Sequence, residues 1–336
     1  MEEAPVTSTD STPTFSLGID VGKQTLELAL LDQDGPVAKT SVSNDEEGQE
    51  TLLNWLDEWG AVPEKTGVCM EASGGYEEAI ATCLHESGYC VSVVNPRRLK
   101  GYAESQLRRS KTDSADATLI ARFGAREEPR PWEPPTAAES RLQELTRARQ
   151  TLKKEKTRTE NRLDETEDAT VREAYEDLLE EIGEKIDALE EEIEEHVGDS
   201  PDLNDQCSLL DTIPGVGLQT AAVVVSELGS ADRFESARQA AAYAGLVPSH
   251  HRSGTSIRGE SKMSKVGNAR LRNAMYFPAM SALRCNAAVK AFGDRLKERG
   301  KEKMVVLGAA MRKLLHICYG VLKSGRPFDP SLHPGT

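Results

Sequence analysis

The stretch Lys111-Thr-Asp-Ser-Ala-Asp-Ala117 has the composition of the first turn of a helix. Its two acidic residues, Asp113 and Asp116, are three positions apart, so on a helix their Cβ atoms lie on one face, about 5–6 Å from each other. Two carboxylates this close repel each other unless a cation lies between them. The alternative is a helix start that is rich in Asp because acidic groups stabilise the positive end of the helix dipole.

Upstream of this stretch the sequence alternates between strand and helix patterns. Three strands, a helix, a strand, a helix and a fifth strand are predicted before the acidic helix. Asp20 ends the first strand, and Glu71 follows the fourth. This order is that of a ribonuclease-H-like α/β fold, in which strand ends bring acidic residues together at one edge of the sheet.

A basic segment, residues 97–111, leads directly into Asp113. It holds six basic residues against a single acidic residue, Glu104. A basic loop beside an acidic cluster is typical of a site that grips phosphates while metal ions act on them; a solvated basic loop is the alternative. The candidate phosphate-binding residues are Arg97, Arg98, Lys100, Arg108, Arg109 and Lys111.

Two connecting segments follow. Residues 127–135 contain four prolines in nine positions, which predicts a stiff linker. Residues 136–200 contain no proline, and apolar residues recur there at spacings of three and four between charged faces. This pattern predicts a coiled coil, as one long helix or as a hairpin. We expect it to form a homodimer; the alternative is a hairpin packed on its own chain.

The charge of the chain is unevenly distributed. The net charge of −15 argues at first against a nucleic-acid partner. Between Leu246 and Arg326, however, there are 17 Lys or Arg against 4 Asp or Glu, a local charge of +13, whereas the remainder has 24 against 52. The basic segment therefore has the footprint of a polyanion-binding surface. As a hypothesis, the acidic surplus elsewhere reflects a high-salt habitat.

The C-terminal part contains two further candidate elements. Ile213-Pro-Gly-Val-Gly217 lies between two predicted helices, as in a helix-hairpin-helix motif, whose glycines (here Gly215 and Gly217) let backbone amides approach a phosphate. A glycine-rich connector is the alternative. Residues 247–268 form a long polar, basic loop, which is usually functional or disordered. The residues alone do not select a nucleophile among its serines. The candidate nucleic-acid-binding side chains are Arg252, Arg258, Lys262, Lys265, Arg270 and Arg272.

The remaining features bound the class of protein. Six scattered cysteines without a Cys-x-x-Cys pair predict reduced thiols in a cytosolic protein without structural zinc. No uninterrupted apolar run approaches the roughly 20 residues that a membrane span needs, so we expect no membrane partner. Residues 1–14 are acidic and rich in Ser and Thr, which predicts a disordered leader.

Six motifs in a fixed order carry a family resemblance over about residues 15–323. They are Gly18-Ile-Asp-Val-Gly-Lys23, Met70-Glu-Ala-Ser-Gly-Gly-Tyr76, the 111–117 stretch, the 213–217 turn, Ala242-Tyr-Ala-Gly-Leu-Val-Pro248, and Arg252-Ser-Gly254 followed by Ser264-Lys-Val-Gly-Asn-Ala-Arg-Leu-Arg272. Together they resemble the DEDD transposases of the insertion sequence one-ten family. The strong acidity, Gly22-Lys23 and Gly74 depart from the pattern, but they remove no metal ligand.

The resemblance implies an α/β plus all-α fold. A ribonuclease-H-like (resolvase-like) DEDD domain over 15–126 would be followed by a linker over 127–135 and a coiled-coil connector over 136–200. A helical transposase domain with a helix-hairpin-helix would cover 201–326, and a tail 327–336.

The resemblance also implies a mechanism and partners. Asp20, Glu71, Asp113 and Asp116 would hold one or two Mg²⁺ ions, and Ser253 would be a nucleophile that forms a covalent bond to DNA. The expected partners are the DNA of the element ends and target, a structured guide RNA, and further copies forming dimers or tetramers. We expect a prokaryotic cytoplasmic protein, at the nucleoid when active.

Three other functions are compatible with parts of the pattern. A Mg²⁺-dependent junction-resolving endonuclease would use the same acidic residues with water as the nucleophile and would not need Ser253. A non-catalytic nucleic-acid-binding protein would use only the basic segments. An ATPase of the sugar-kinase and actin class is less well supported, because no second phosphate-binding glycine strand is present.

Overall fold

A computed structural model of the chain describes residues 15–73, 75–106, 113–249, 252–253, 257–258, 262–264 and 266–332. The chain divides into two compact units, Met1–Pro134 and Pro135–Thr336. The first unit is built on a mixed α/β sheet, and the second is mostly helical.

The sheet of the first unit has the order β3-β2-β1-β4-β5. Its first three strands are antiparallel neighbours, whereas β4 and β5 run parallel to β1. The predicted succession of strands and helices is confirmed. The strands are β1 (Phe15–Val21), β2 (Thr25–Leu31), β3 (Pro36–Ser43), β4 (Thr66–Glu71) and β5 (Cys90–Val94), and the helices are α1 (Glu46–Glu58), α2 (Glu78–Glu86), α3 (Pro96–Ser105) and α4 (Asp113–Glu127).

The prediction of a loop over residues 97–111 was wrong for its first part, because Pro96–Ser105 is helix α3. Asn95 caps this helix: its side-chain oxygen accepts from the backbone N–H of Arg97 at 2.9 Å. Pro96 occupies the first helical position, where its missing N–H is harmless. Leu99 is the buried residue that attaches the helix to the unit.

Both faces of the sheet are covered. The face bearing Leu17 and Ile19 packs against α1 and α2. The opposite face packs against α4, which lies so close to β1 that a Cβ atom on Gly18 would be 2.1 Å from the carbonyl oxygen of Ala117 and 2.3 Å from the amide nitrogen of Ala121. The Ser16 hydroxyl also donates to the Ala121 carbonyl at 2.8 Å. Helix α4 can occupy this position only because residue 18 has no side chain.

The second unit begins with a helical hairpin. Helices α5 (Ala137–Asp164) and α6 (Ala169–Asp199) pack on each other, which settles the choice between one long helix and a hairpin. Thr136 and Glu139 form a capping box at the start of α5. The apolar stripe is buried towards the end of α6, where Ile193 is fully buried, but Val171 and Leu178 are 43% and 39% exposed.

The rest of this unit is a helical core around its last helix. The further helices are α7 (Pro201–Asp211), α8 (Leu218–Leu228), α9 (Ala237–Tyr243), α10 (Ala269–Ala274), α11 (Tyr276–Cys285), α12 (Ala287–Glu298) and α13 (Lys303–Ser324). Helices α10 and α11 are separated by a single residue, Met275, which is buried at the break. Two short ladders precede α10: β6 (Pro248–Ser249) pairs with β9 (Lys262–Met263), and β7 (Arg252–Ser253) pairs with β8 (Ile257–Arg258).

Among the described helices, α13 meets the length and mean-hydropathy criteria for crossing a membrane, although the sequence analysis expected no such stretch. Its mean hydropathy is 1.5, and 56% of the apolar window is buried within the protein. Leu314, Leu315 and Ile317 are fully buried in the core of the second unit. Packing inside this core accounts for the apolar character of α13.

The close approach of α4 to β1 leads to a stability prediction. We expect Gly18→Ala to lower the free energy of unfolding of the first unit by about 3 kcal/mol or more, because the new methyl group meets backbone atoms that cannot rotate away. Gly101→Ala is the matched control, since a Cβ there has no neighbour within 4 Å. It should be neutral or stabilising by up to about 1 kcal/mol. Thermal denaturation of both variants tests this; equal melting temperatures would contradict it.

Candidate active site

Two carboxylates lie side by side where β1 and β4 end. The last paired residues of these parallel strands are Ile19 and Met70, so Asp20 and Glu71 follow next to each other. Both are half-buried, and each already interacts with another group in the chain. Asp20 lies inside β1. Glu71 is the last residue of β4, whereas the sequence analysis placed it just after that strand.

Both carboxylates are on the face of the sheet that α4 covers. Side chains alternate between the two faces of a strand. Asp20 therefore shares a face with Ser16 and Gly18, which contact α4, and Glu71 shares one with Cys69, which packs against Ile120 and Phe123 of α4.

Helix α4 runs antiparallel to β1, and its acidic end extends towards Asp20. Ala121 lies over Ser16 and Gly18, and Ala117 lies over Gly18. One helical turn rises about 5.4 Å, which is close to the roughly 6.6 Å that two strand residues span. The turn of α4 on the N-terminal side of Ala117 therefore reaches the level of residue 20. That turn contains Asp113, in the row of Ala117, and Asp116, in the row of Ile120.

The fold therefore brings the backbone positions of all four predicted acidic residues to one edge of the sheet. Asp116 is half-buried, and the side chain of Asp113 lies outside the described part of the structure. Among the described side chains, no three His, Cys, Asp or Glu residues form a group that could hold a metal ion. The donor set consists of carboxylate oxygens, which suit a hard divalent cation such as Mg²⁺ or Mn²⁺.

Two of the predicted phosphate-binding residues lie next to this edge. Glu71 pairs with Val94, the last residue of β5, so α3 starts beside it. Arg97 and Arg98 are exposed in the first turn of α3, and the Arg98 guanidinium lies 5.3 Å from the centre of the Phe123 ring. Lys100 is also exposed on α3, whereas Arg108, Arg109 and Lys111 lie outside the described residues.

In the second unit, the predicted phosphate-binding turn lies between α7 and α8. Gly215 has a φ of 99°, and a Cβ there would be 2.9 Å from the amide nitrogen of Ala282 in α11. This glycine is therefore required for packing within the chain. Gly217 is exposed, has open space around its Cα atom and precedes the first residue of α8. Only Gly217 retains the accessibility that the helix-hairpin-helix prediction assumed.

The serine-bearing segment forms the two short ladders. Ser253 is the second residue of β7 and pairs with Ile257; its side chain lies outside the described part of the structure. Arg252, Arg258 and Lys262 are also ladder residues without described side chains, and Lys265 is outside the described residues. Arg270 is exposed on α10.

A buried polar network fixes the end of this segment. The Glu227 carboxylate, 3% exposed in the last turn of α8, accepts from Nε of Arg147 at 2.9 Å and from Nδ2 of Asn268 at 2.7 Å. The side-chain oxygen of Asn268 caps α10 by accepting from the N–H of Leu271. Arg272 donates to the carbonyl of Ala244 at 3.1 Å, and burial lowers its pKa. Arg272 therefore stabilises the fold, a role that the sequence analysis did not predict.

Comparison with known proteins identifies the family. Residues 17–170 match the DEDD transposase model of IS110 elements, and residues 207–294 match that of the transposase IS116/IS110/IS902 family. The pilin gene-inverting protein of Moraxella bovis is 33% identical over 318 residues, covering 94% of this chain and 98% of that protein. The chain belongs to the IS110 family of DEDD transposases.

Two further similarities extend the comparison. The transposase for insertion sequence element IS1111A of Coxiella burnetii is 29% identical over 299 residues, covering 80% of this chain and 78% of that protein. The structure of T. thermophilus RuvC in complex with a Holliday junction substrate aligns with 35% of this chain and 99% of that chain. Its sequence identity is 16% and its TM-score is 0.28. The family assignment makes the chain a DNA transposase or recombinase.

The structure of the transposase also shows two positioning residues that sequence reasoning missed. The Asn44 side chain donates to the carbonyls of Gly22, after β1, and of Tyr76, after β4, at 3.0 and 3.1 Å. It thereby connects the turns that follow the two acidic strand ends. No local sequence signal indicates this role, because Tyr76 is 32 residues away from Asn44.

Glu77 is the second positioning residue. Its side chain is buried, and Oε2 accepts from the backbone N–H of Ser73 at 3.0 Å, the Ser73 hydroxyl at 2.6 Å and the N–H of Gly75 at 2.9 Å. Three donors on one carboxylate oxygen shape the loop that follows Glu71. A carboxylate just after Gly-Gly-Tyr is the only sequence signal for this role.

Removing the Glu77 carboxylate should loosen this loop. We expect Glu77→Ala to destabilise the first unit of the transposase by about 2–3 kcal/mol, because hydrogen bonds to a charged acceptor are lost and their donors are left without it. The amides of Ser73 and Gly75 should also exchange hydrogen faster. Glu86→Ala, at the exposed last residue of α2, the helix that Glu77 precedes, should change stability by less than about 0.5 kcal/mol. Equal exchange rates in both variants would contradict the role of Glu77.

Proposed function

We propose that this transposase cleaves and rejoins DNA strands with a divalent cation, most suitably Mg²⁺, held by Asp20, Glu71, Asp113 and Asp116. The observation that carries the proposal is the placement of α4 over the carboxyl ends of β1 and β4. In chain order these residues spell the DEDD of the family name. The carboxylates are thus the best-supported ligands for one or two metal ions.

The residues around this edge have distinct tasks in the proposal. A bound cation would neutralise phosphate charge and orient an in-line attack. Arg97 and Arg98, in the first turn of α3, bind the DNA backbone next to Glu71. Asn44 and Glu77 hold the two loops that follow the acidic strand ends. Because both loops are fixed by several hydrogen bonds, the carboxylates keep their positions when DNA arrives.

The proposed nucleophile is Ser253. Its Oγ forms a bond to phosphorus while the P–O bond to the leaving deoxyribose oxygen breaks, and the proton of the serine ends on that oxygen. The free energy of the phosphodiester is retained in the serine–DNA bond. A deoxyribose hydroxyl of another strand then reverses the step, so rejoining needs no ATP. Ser253 and the four acidic residues belong to different units of the chain.

The partners follow from charge and from the relatives. The segment from Leu246 to Arg326, with a local charge of +13, supports DNA binding, and so does a relative named for gene inversion. We propose the element ends and the target as the DNA and, from the family resemblance, a structured guide RNA. The exposed Val171 and Leu178 on α6 support dimerisation through the hairpin. The proposed location is the prokaryotic cytoplasm, at the nucleoid when the protein is active.

The serine mechanism makes a specific prediction. With Mg²⁺, junction or element-end DNA and RNA from the flanking non-coding region, wild-type protein should form a protease-sensitive protein–DNA band. Ser253→Ala should abolish this band and lower strand exchange by at least about 10³-fold, because no other hydroxyl replaces the nucleophile. The product is resolved on a denaturing gel.

Ser249→Ala, in the neighbouring ladder, is the control and should retain the covalent band. Cleavage that persists in Ser253→Ala without any covalent band would contradict the serine mechanism. It would indicate a junction-resolving endonuclease that uses water at the same carboxylates. An absence of cleavage by every variant, with DNA binding retained, would favour a non-catalytic nucleic-acid-binding protein.

A further inference from the structure

Phe277 has the highest exposed fraction among the large apolar side chains that the structure describes, at 75%. It is the second residue of α11, and the next two residues, Pro278 and Ala279, are buried. Pro278 and Ala279 lie on the side of α11 that faces the core of the second unit. The ring of Phe277 therefore cannot turn inward without displacing packed residues. Core packing therefore does not explain a phenylalanine at this position.

The ring is also held in place. Tyr276 packs edge-on against it, with a centroid distance of 5.2 Å and an interplanar angle of 86°. The preceding helix, α10, is capped by Asn268, which is itself fixed by the buried Glu227. The Asn268 backbone N–H also donates to the Tyr243 carbonyl at 2.6 Å. Phe277 is thus presented to solvent on a rigid support, as a binding residue would be.

The sequence around Phe277 is basic and free of acidic residues. From Ser261 to Gly293 there are six Lys or Arg and no Asp or Glu. Arg270 is exposed one helix earlier, and Val266 is 50% exposed before it. A segment with several cations and no acidic residue of its own attracts a polyanion, and an exposed aromatic ring binds a planar apolar group. Nucleic acid with accessible base faces combines both properties.

We infer that Phe277 stacks on an unpaired base of the DNA substrate and that the basic segment around it binds the adjoining phosphates. This inference rests on the proposed DNA strand exchange, which requires strands to separate. In an intact duplex the base faces are covered by their neighbours, so Phe277 distinguishes opened or branched DNA from duplex DNA. Removal of the ring should weaken binding of single-stranded DNA by about 5- to 150-fold, the range of base–aromatic stacking.

The test uses the full-length protein with DNA that carries 2-aminopurine, whose fluorescence falls when the base stacks. Wild type, Phe277→Ala and Phe277→Trp are titrated with single-stranded DNA, a duplex of equal length and an RNA of the same sequence. Leu332→Ala is the matched control. Leu332 is 72% exposed in the same unit, but it lies outside the basic segment, three residues after the acidic Asp329. Since Phe277 is exposed, its replacement should leave the melting temperature unchanged.

We expect Phe277→Ala to lose affinity and fluorescence quenching with single-stranded DNA but not with the duplex, and Phe277→Trp and Leu332→Ala to retain both. Equal binding by wild type and Phe277→Ala would overturn the inference. So would an equal loss on duplex DNA, which indicates a non-specific surface effect, or a loss on RNA alone, which indicates an RNA contact. Failure of the wild type to bind any DNA would overturn the proposed function as well, and it differs from a selective failure of Phe277→Ala.

Discussion

The contact between Gly18 of β1 and the backbone of Ala117 and Ala121 in α4 is the constraint on which the acidic edge depends. A helix this close to a strand cannot shift along it, because its turns interlock with the strand residues beneath. The interlocking sets the height of the helix start relative to the strand end. Asp113 and Asp116 therefore reach the level of Asp20 and Glu71. The packing of α4 on β1 positions them, so the fold does not depend on contacts among the four carboxylates. Mutual repulsion between the carboxylates, which would separate them in a flexible loop, is opposed by packing one and two turns further along α4.

The second unit solves a different problem, which is to present basic residues on a chain that is acidic as a whole. Its acidic residues are concentrated in the hairpin, where Glu190 is held by Arg149 and Lys153; burial would raise its pKa, but these hydrogen bonds outweigh that effect and lower it. The 261–293 segment is left without acidic residues. Glu227 is an exception in the core of the unit: it is buried and paired, and it anchors the helix that leads to Phe277. Acidic and basic residues are thus concentrated in different segments of the second unit, and buried polar contacts hold the basic segment in place.

Features set by local sequence could be predicted, and features set by distant partners could not. Strand alternation and the acidic helix start gave the succession of elements in the first unit, with Asp20, Glu71 and Asp113 near element ends. Helix α3 was mistaken for a loop because its charges masked the helix-start signal of Asn95 and Pro96. The roles of Gly18 and Asn44 depend on residues that are far away in the chain, and the exposure of Phe277 depends on the packing of α11. The apolar stripe of α6 predicted a helix seam, and the structure shows that α5 occupies much of it.

Binding of Mn²⁺ to the full-length protein, followed by electron paramagnetic resonance, tests the central claim most directly. Mn²⁺ replaces Mg²⁺ at oxygen sites and reports binding without DNA or catalysis. If the interlocking of α4 and β1 builds the cation site, Asp20→Asn and Asp116→Asn should each weaken binding by at least about 10-fold while both variants remain folded. Glu104→Gln, at an exposed site on α3, should bind like the wild type. Unchanged Mn²⁺ affinity in both aspartate variants would contradict the claim that the first unit holds the metal at this edge of the sheet.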